Sequence, residues 1–227
     1  KIYFSYLGSM MDEKLLAYLE EFISEKRIER FNDILSHRTN FITVAIEDVF
    51  QMHNTSAVIR SCESFGIQQA HLIEGKYGQR LDEEIAMGAQ KWVDVKRYKN
   101  SNEAVDVLKN KGYKIVATSP HADSSLLQDY ELDGKMALFF GTENKGLSDY
   151  VLENADAYLK IPMVGFTESL NISVSAAIIL QHLTAKLKSS NFDWKLTQAE
   201  MMEKRLDWTK KSIKSIDDIL IRYDSDN

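Results

Sequence analysis

The sequence predicts an α/β fold in which a mostly parallel sheet carries helices on both faces. Short, apolar, β-branched stretches alternate with amphipathic stretches at helical spacing, and this alternation continues through the middle of the chain. Strands that alternate with helices usually pair in parallel, because each helical crossover returns the chain to the same edge of the sheet. The chain also has only two prolines, so a long rigid linker between separate domains is not expected.

The elements follow from the hydrophobic pattern in chain order. Helices are predicted at Asp12–Ile23, Glu25–Leu35, Ala57–Phe65, Asp82–Gly88, Asn102–Lys111, Ser173–Leu187 and Thr197–Arg222. Strands are predicted at Phe41–Val49, Ala70–Glu74, Lys114–Thr118, Met136–Gly141 and Ala157–Ile161. Residues 54–56 (Asn-Thr-Ser) are candidate caps for the helix at Ala57, and Thr197 with Glu200 fits a capping box. We therefore predict one α/β domain at residues 36–188, with helical arms at residues 1–35 and 189–227.

Composition limits the class of protein. The chain has 227 residues, of which 44% are hydrophobic and 27% are charged, values that are typical of a soluble globular protein. Its apolar runs are too short to cross a bilayer, and its first residues do not resemble a secretory signal. The single cysteine, Cys62, cannot form an internal disulfide and fits a reducing compartment. We expect a cytoplasmic protein without a membrane partner.

The charge pattern leaves nucleic-acid binding open. A net charge of −6 argues weakly against it, because contacts to phosphate supply much of the affinity. Basic residues nevertheless cluster at Lys26–Arg30 and from Lys186 to Arg222, where Lys204-Arg205 and Lys210–Lys214 could contact phosphates. Such clusters are also common on ordinary solvated helix faces. The tryptophans of the C-terminal arm, Trp194 and Trp208, are more consistent with packing than with base stacking.

Several common sites are missing from the pattern. The chain has no G-x-G-x-x-G after a strand, so the dinucleotide fingerprint is absent. The segment Gly141–Gly146 has the outer glycines of a P-loop, but Leu147 stands where that motif needs lysine. The five histidines have no metal-ligand spacing with one another or with Cys62, and no metal is expected. His71, inside a predicted strand, is interpreted as structural.

Three polar segments remain, each near the end of a predicted strand. They are Asn54–Arg60, Phe139–Leu147 and Ile161–Ser175. Loops beyond the carboxyl ends of parallel strands are where α/β proteins build their sites. Taken alone, the polar residues have ordinary explanations, because asparagine and serine often cap helices and a lone glutamate between glycines is usually solvated.

Together these segments resemble the three motifs of the SpoU (TrmH) branch of the SPOUT methyltransferases. The first resembles N-x-x-A-x-x-R, the second G-x-E-x-x-G, and the third I-P-M…S-L-N-x-S-V. The resemblance covers about residues 26–188, and the terminal segments are similar to the subgroup that methylates guanosine-18 of tRNA. It implies a doubly wound fold with a C-terminal deep trefoil knot, S-adenosyl-L-methionine as cofactor, and a homodimer whose active site takes residues from both subunits.

The resemblance also implies roles for individual residues. Thr118, Gly141, Ile161 and Leu170 match positions that hold the cofactor through backbone groups and apolar walls. The catalytic positions match Arg60, Asn54, Glu143, Ser169 and Asn171. Of these, Arg60 is implied in activating the ribose hydroxyl. We interpret its role as binding the hydroxyl and a nearby phosphate, since a guanidinium stays protonated at ordinary pH and cannot act as a base.

The expected activity is therefore 2′-O-methylation of a tRNA ribose, with guanosine-18 in the D-loop as the expected target. One alternative is a ribosomal RNA 2′-O-methyltransferase of the same family, although only about 40 residues precede the first strand, too few for the separate RNA-binding domain of many such relatives. The other is a catalytically silent RNA-binding dimer, which would have no chemical need for Arg60, Glu143 and Asn171 together.

Overall fold

The computed structural model describes residues 12–48, 52–75, 88–119, 124–142 and 145–226. Backbone contacts divide these residues into two compact units. One unit is Thr39–Trp194, and the other combines the residues up to Arg38 with those from Lys195 onward. Most of the two segments predicted as separate arms therefore belongs to one unit, whereas residues 189–194 of the predicted C-terminal arm belong to the larger unit. The predicted helix at Asp82–Gly88 lies outside the described residues, apart from Gly88.

The larger unit is built on a sheet of seven strands. They are β1 (Ile42–Glu47), β2 (Gln69–Ile73), β3 (Asp94–Tyr98), β4 (Lys114–Thr118), β5 (Ser125–Leu126), β6 (Met136–Phe140) and β7 (Ala157–Lys160). Their order across the sheet is β3-β2-β1-β6-β4-β7-β5, and every pairing among them is parallel. The predicted α/β class is confirmed, and the described sheet is wholly parallel.

Helices cover both faces of this sheet. They are α3 (Met52–Phe65), α4 (Ser101–Asn110), α5 (Asp149–Glu153) and α6 (Ile172–Lys188). Side chains of a strand alternate between faces, so β6 sends Leu138 and Phe140 into the core that contains α3 and α6. It sends Ala137 and Phe139 into the opposite core, which contains residues of α4 and α5. Because both faces are buried, the central strands read as continuous apolar runs.

Helix α3 begins earlier than the sequence predicts. The expected start was Ala57, with residues 54–56 as caps, but the helix already includes Met52. Asn54 therefore lies inside the first turns of the helix, where it is only 8% exposed. The interpretation of Asn54 as a helix cap was wrong, because the helix begins before Asn54. A polar residue near a predicted helix start does not by itself mark the first residue of the helix. This shift turns Asn54 inward.

The smaller unit is helical. It contains α1, whose described part is residues 12–20, α2 (Glu25–Leu35), α7 (Gln198–Ser212) and α8 (Ile216–Asp226). The predicted capping box at Thr197 and Glu200 is present. The helical region predicted over Thr197–Arg222 is present as two helices, because Ile213 adopts extended backbone angles and separates α7 from α8. None of the described helices is long and apolar enough to span a membrane.

Contacts between distant parts of the chain hold this helical unit together. Leu19 of α1 is fully buried in a cluster with Leu206 and Ile219. The Arg205 guanidinium donates to both carboxylate oxygens of Glu20, with 2.6 Å between Nη2 and Oε2. Trp208 is buried, as its packing interpretation predicts, with its ring centroid 5.6 Å from that of Phe31.

Candidate active site at the carboxyl ends of the strands

A pocket of about 350 Å³ opens at the carboxyl ends of β4, β6 and β7. This volume lies near the lower end of the range that is typical of small-molecule binding pockets in proteins. Thr118, Gly141, Ile161 and Leu170 all line it, so the structure brings together the four residues predicted to bind a cofactor. They come from three strand ends and the loop before α6. The order of the strands explains this convergence, since β4 lies between β6 and β7.

The pocket wall combines an apolar floor with a polar rim. Its apolar part is contributed by Phe140, Leu147, Leu152, Leu159, Ile172 and Ile179. Its polar part includes Ser119, Thr142, Lys145, Lys160, Glu168, Ser169 and Ser175. An apolar slot with a few fixed polar groups is the composition that a nucleoside needs. Sequence reasoning missed most of these residues, although several lie inside the three polar segments.

Gly141 makes a close backbone turn possible at this wall. A Cβ atom at this position would lie 2.2 Å from both the carbonyl carbon and the oxygen of Gly146, and 2.4 Å from the Leu147 nitrogen. The turn is closed by two backbone bonds, from Thr142 N–H to the Gly146 oxygen at 3.0 Å and from Gly146 N–H to the Thr142 oxygen at 2.9 Å. Any side chain at residue 141 would push this turn open.

Thr118 is fixed in the same wall. Its hydroxyl donates to the Phe139 carbonyl oxygen at 2.7 Å, which links the end of β4 to β6. The contact holds Thr118 at the pocket, which it lines together with the end of β7.

Asn171 joins the third polar segment to the first. Its Nδ2 donates to Oδ1 of Asn54 at 3.1 Å, across 117 residues of sequence. Its Oδ1 accepts from the Ser173 backbone N–H at 2.9 Å and therefore caps α6. The sequence left capping and a site role as alternatives for Asn171; the structure shows the cap, and the same side chain also contacts Asn54, another residue predicted for the site. Asn54 and Asn171 are thus fixed beside Leu170, which lines the pocket.

Comparisons with known proteins identify the family of this chain. The model of the SpoU rRNA Methylase family matches residues 41–181, more than half of the chain. A tRNA (guanosine(18)-2'-O)-methyltransferase from Borreliella burgdorferi is 42% identical over 202 residues, which are 89% of this chain and 93% of that protein. A protein of the same name from Thermus thermophilus is 34% identical over 190 residues, 83% of this chain and 98% of its own length.

This chain belongs to the SpoU family. Its fold agrees with that of a solved member, the TrmH/SpoU tRNA modifying enzyme of A. aeolicus, with a TM-score of 0.74 and 28% identity over 83% of this chain and 98% of that one. The SpoU methyltransferase AviRb of Streptomyces viridochromogenes, solved with its cofactor AdoMet, shares the fold at a TM-score of 0.61 and 22% identity over 70% of this chain and 65% of that one.

The remaining motif residues of this SpoU chain differ in whether they line the pocket. Ser169 lines the pocket, whereas Glu143 lies outside the described residues. Arg60 projects from α3 with an exposed side chain, six residues beyond Asn54. It is not among the described residues that line the pocket. The structure therefore brings Ser169, Asn54 and Asn171 to one edge, but within one chain it does not bring Arg60 into the pocket.

His71 lies away from this site, in a structural position in β2. Its Nδ1 is 3.0 Å from the Tyr98 hydroxyl oxygen, and the two rings are stacked with centroids 5.6 Å apart. Burial, followed by the nearby charges of Lys111 and Lys96, lowers the pKa of His71 to about 4. Among the described residues of this SpoU chain, no group of three His, Cys, Asp or Glu side chains could hold a metal ion.

Proposed function

We propose that this protein transfers a methyl group from S-adenosylmethionine to a ribose 2′-hydroxyl of tRNA, with guanosine-18 in the D-loop as its target. The observation that carries the proposal is the meeting of all three SpoU motifs at one edge of the sheet. Asn54 of the first motif bonds to Asn171 of the third, beside a pocket lined by Gly141 of the second. The names of its relatives in B. burgdorferi and T. thermophilus support tRNA as the substrate.

The pocket fits the proposed cofactor in chemistry and in size. Its apolar floor suits an adenine ring, and the absence of a side chain at Gly141 lets the backbone of Gly146 and Leu147 pack against it, so the turn keeps its shape beside the pocket. We infer that Thr118, Gly141, Ile161 and Leu170 hold the cofactor. When bound, its sulfonium supplies an electrophilic methyl group for in-line transfer to oxygen, with cleavage of the carbon–sulfur bond.

The residues of this chain align the acceptor and handle its proton. The Asn171 cap and its bond to Asn54 hold the third-motif loop in one arrangement, so Ser169 and Asn171 can orient the ribose. Arg60 donates hydrogen bonds to the ribose hydroxyl and the adjacent phosphate, and a phosphate oxygen or water takes the proton. The resemblance to the family assigns Glu143 to orienting its neighbours.

We infer that the active enzyme is a homodimer. Val164 and Phe166 lie fully exposed in the loop that follows β7, with exposed fractions of 106% and 108%. Leu170, Val174 and Ile178 follow at four-residue spacing and are also exposed. An apolar surface of this kind beside a pocket is typical of a subunit interface. A second copy covering it would place another subunit beside the pocket.

A dimer also explains the position of Arg60. Because Arg60 does not line the pocket of its own chain, we infer that it serves the pocket of the second subunit. Coexpression of Arg60→Ala chains with Gly141→Ala chains tests this arrangement. At S-adenosylmethionine concentrations well below KM both homodimers are impaired, one in the acceptor contact and the other in cofactor binding, whereas a mixed dimer has one complete site and regains up to half of the activity per dimer. Mixed dimers without activity would contradict sharing of the site.

Some of the basic residues predicted to contact tRNA phosphates are paired with acids within the chain. Of the tail cations, Lys204 lies 3.1 Å from Glu203 and Lys211 lies 2.6 Å from Asp207, and Arg205 is paired with Glu20. These ion pairs leave the tail less suited to binding phosphate than its sequence indicates. Exposed basic side chains at Lys26, Arg27 and Lys214 are better candidates. A tRNA substrate also supports a cytoplasmic location, and membership of the SpoU family supports the C-terminal knot.

Transfer of labelled methyl from S-adenosylmethionine to unmodified tRNA tests the function directly. A 2′-O-methyl group protects the next phosphodiester from alkali, so the resistant bond reports the modified position. One resistant bond after the D-loop guanosine supports the proposal in full. Label at another tRNA ribose would change the target, transfer to ribosomal RNA alone would replace the substrate, and no transfer to either RNA would favour a silent RNA-binding dimer.

A further inference from the structure

A buried carboxylate lies at the end of β1, next to the second SpoU motif. Glu47 is only 3% exposed, and a buried carboxylate is costly unless hydrogen bonds compensate for the lost water. Its Oε2 accepts from the Ser148 backbone N–H at 2.7 Å. Its Oε1 accepts from the Ser148 hydroxyl at 2.6 Å and from the Ser101 hydroxyl. Three donors therefore fix this side chain in place.

The principal partner, Ser148, controls the end of the motif-two segment. It directly follows Gly146 and Leu147, both of which line the pocket. It is also the N-cap of α5, since its hydroxyl oxygen accepts from the Val151 N–H at 3.4 Å. Glu47 thereby connects the strand that leads into the first motif with the residue at which the second motif ends.

The pocket wall formed by this segment is held at two points. On one side, the backbone bonds between Thr142 and Gly146 close the turn beside Gly141. On the other side, the bonds from Ser148 to Glu47 anchor the turn to the sheet. Without the second anchor, Gly146 and Leu147 could move as a unit with the turn and change the width of the pocket.

We propose that Glu47 is a positioning residue for the cofactor pocket and acts through Ser148. It is not among the described residues that line the pocket, so its effect is on cofactor binding and not on methyl transfer. This role rests on the proposed function only in the identity of the cofactor. The role depends on the length of the side chain and not on its charge, because the Ser148 N–H needs an acceptor atom at hydrogen-bond distance.

Two conservative variants separate reach from charge. Glu47→Asp keeps the charge but is shorter by about 1.5 Å, so it cannot hold both Ser148 donors. Glu47→Gln keeps the reach, because its amide oxygen can accept from the Ser148 N–H while its NH₂ donates to the two hydroxyl oxygens. Glu103→Asp, an exposed substitution near the start of α4, is the matched control.

The measurements are KM and kcat for S-adenosylmethionine in tRNA methylation, with Kd from calorimetry. We expect Glu47→Asp to raise KM and Kd about tenfold with kcat within about twofold, as the loss of one or two hydrogen bonds to Ser148 implies. Glu47→Gln and Glu103→Asp should stay within about threefold of the unsubstituted protein. A purely structural role would lower the midpoint of thermal unfolding and leave KM unchanged, and that result would overturn the proposal.

Other results are also decisive. A change in kcat alone, or an equal loss in the Asp and Gln variants, would contradict positioning by reach. If the unsubstituted protein binds S-adenosylmethionine but does not methylate tRNA, the proposed function fails. The Kd series then still tests the role of Glu47, by the same tenfold and threefold criteria.

Discussion

The close turn at Gly141 leads to a prediction whose size follows from the structure. In Gly141→Ala, the new Cβ would lie 2.2 Å from two backbone atoms of Gly146, about 1.2 Å inside an ordinary contact of 3.4 Å. The neighbouring atoms belong to backbone, so they cannot rotate away as a side chain could. The turn must open by about 1 Å, which breaks or severely weakens the two backbone bonds between Thr142 and Gly146.

Two lost bonds cost about 2 kcal/mol, and residual strain brings the loss in free energy of unfolding to about 2–3 kcal/mol. For a domain of this size, the midpoint of thermal unfolding should fall by roughly 4–12 °C. The moving atoms belong to the pocket wall, so S-adenosylmethionine affinity should also fall by about tenfold or more. Thermal unfolding and calorimetric titration measure these two quantities separately.

Gly134→Ala is the matched control, because a Cβ at Gly134 meets nothing within 4 Å and its φ lies outside the left-handed region. This variant should be neutral or stabilised by a few tenths of a kcal/mol, since alanine reduces the freedom of the unfolded chain. If Gly141→Ala matched Gly134→Ala within 1 °C and within about twofold in Kd, the close-approach argument would be refuted.

Three further predictions concern other parts of the molecule. Arg60→Lys should lower kcat by about a hundredfold with S-adenosylmethionine affinity unchanged, because lysine lacks the planar fork that binds hydroxyl and phosphate together; steady-state kinetics measure both quantities. Asn171→Ser should keep the α6 cap on Ser173, with stability within about 1 kcal/mol, but lose the bond to Asn54 and at least about tenfold in turnover. The pKa of His71 is lowered to about 4 in the folded protein, whereas in the unfolded chain it is the ordinary value of 6.5. Between these values only the unfolded chain takes up the proton, so the contribution of His71 to the free energy of unfolding is complete above pH 6.5 and is lost as pH falls toward 4. His71→Gln should remove about 3 kcal/mol of this pH-dependent difference in the free energy of unfolding, measured with urea at pH 7 and pH 4.

Each of these predictions has a clear contrary outcome. Near-normal turnover in Arg60→Lys would show that charge alone suffices at this position. Equal losses of stability and turnover in Asn171→Ser would show that the cap, and not the contact to Asn54, sets activity. For the pH series, His37→Gln is the control, because the His37 side chain is 63% exposed. A pH dependence in His71→Gln as steep as in His37→Gln would show that His71 does not couple folding to pH.

The sequence predicted the central sheet because its strands are buried on both faces. β6 is a continuous apolar run and β1 is apolar except for Thr43 and Glu47, and no helical periodicity competes with that pattern. β3 was missed because it is an edge strand, half exposed, with Lys96 and Arg97 in its middle. β5 was missed because it has only two residues. A strand that is buried on both faces can be predicted from its apolar sequence, whereas a partly exposed edge strand has no such pattern.

The residues of the candidate site were predicted through the resemblance to the SpoU motifs. For Gly141 the structure adds a physical reason for the residue type, because the close approach of Gly146 excludes any side chain. The strand order then brings Gly141 to Thr118 and Ile161. Nothing in the pattern marked Glu47, because a single acid at the end of an apolar strand has no periodic signature. The contact between Asn54 and Asn171 was also hidden, since it depends on where α3 begins and on how β7 leads into α6.

The ion pair between Glu20 and Arg205 has a consequence for how the protein is made. Its partners are 185 residues apart, so α1 leaves the ribosome long before α7 exists. At roughly 5–20 residues per second, the delay is about 10–40 s. During that interval Leu16 and Leu19 have no part of α7 or α8 to cover them. The nascent chain therefore exposes the apolar face of an amphipathic helix while the sheet is being synthesised, and a chaperone could bind this face. Synthesis of the last helices is the step that completes folding of this unit.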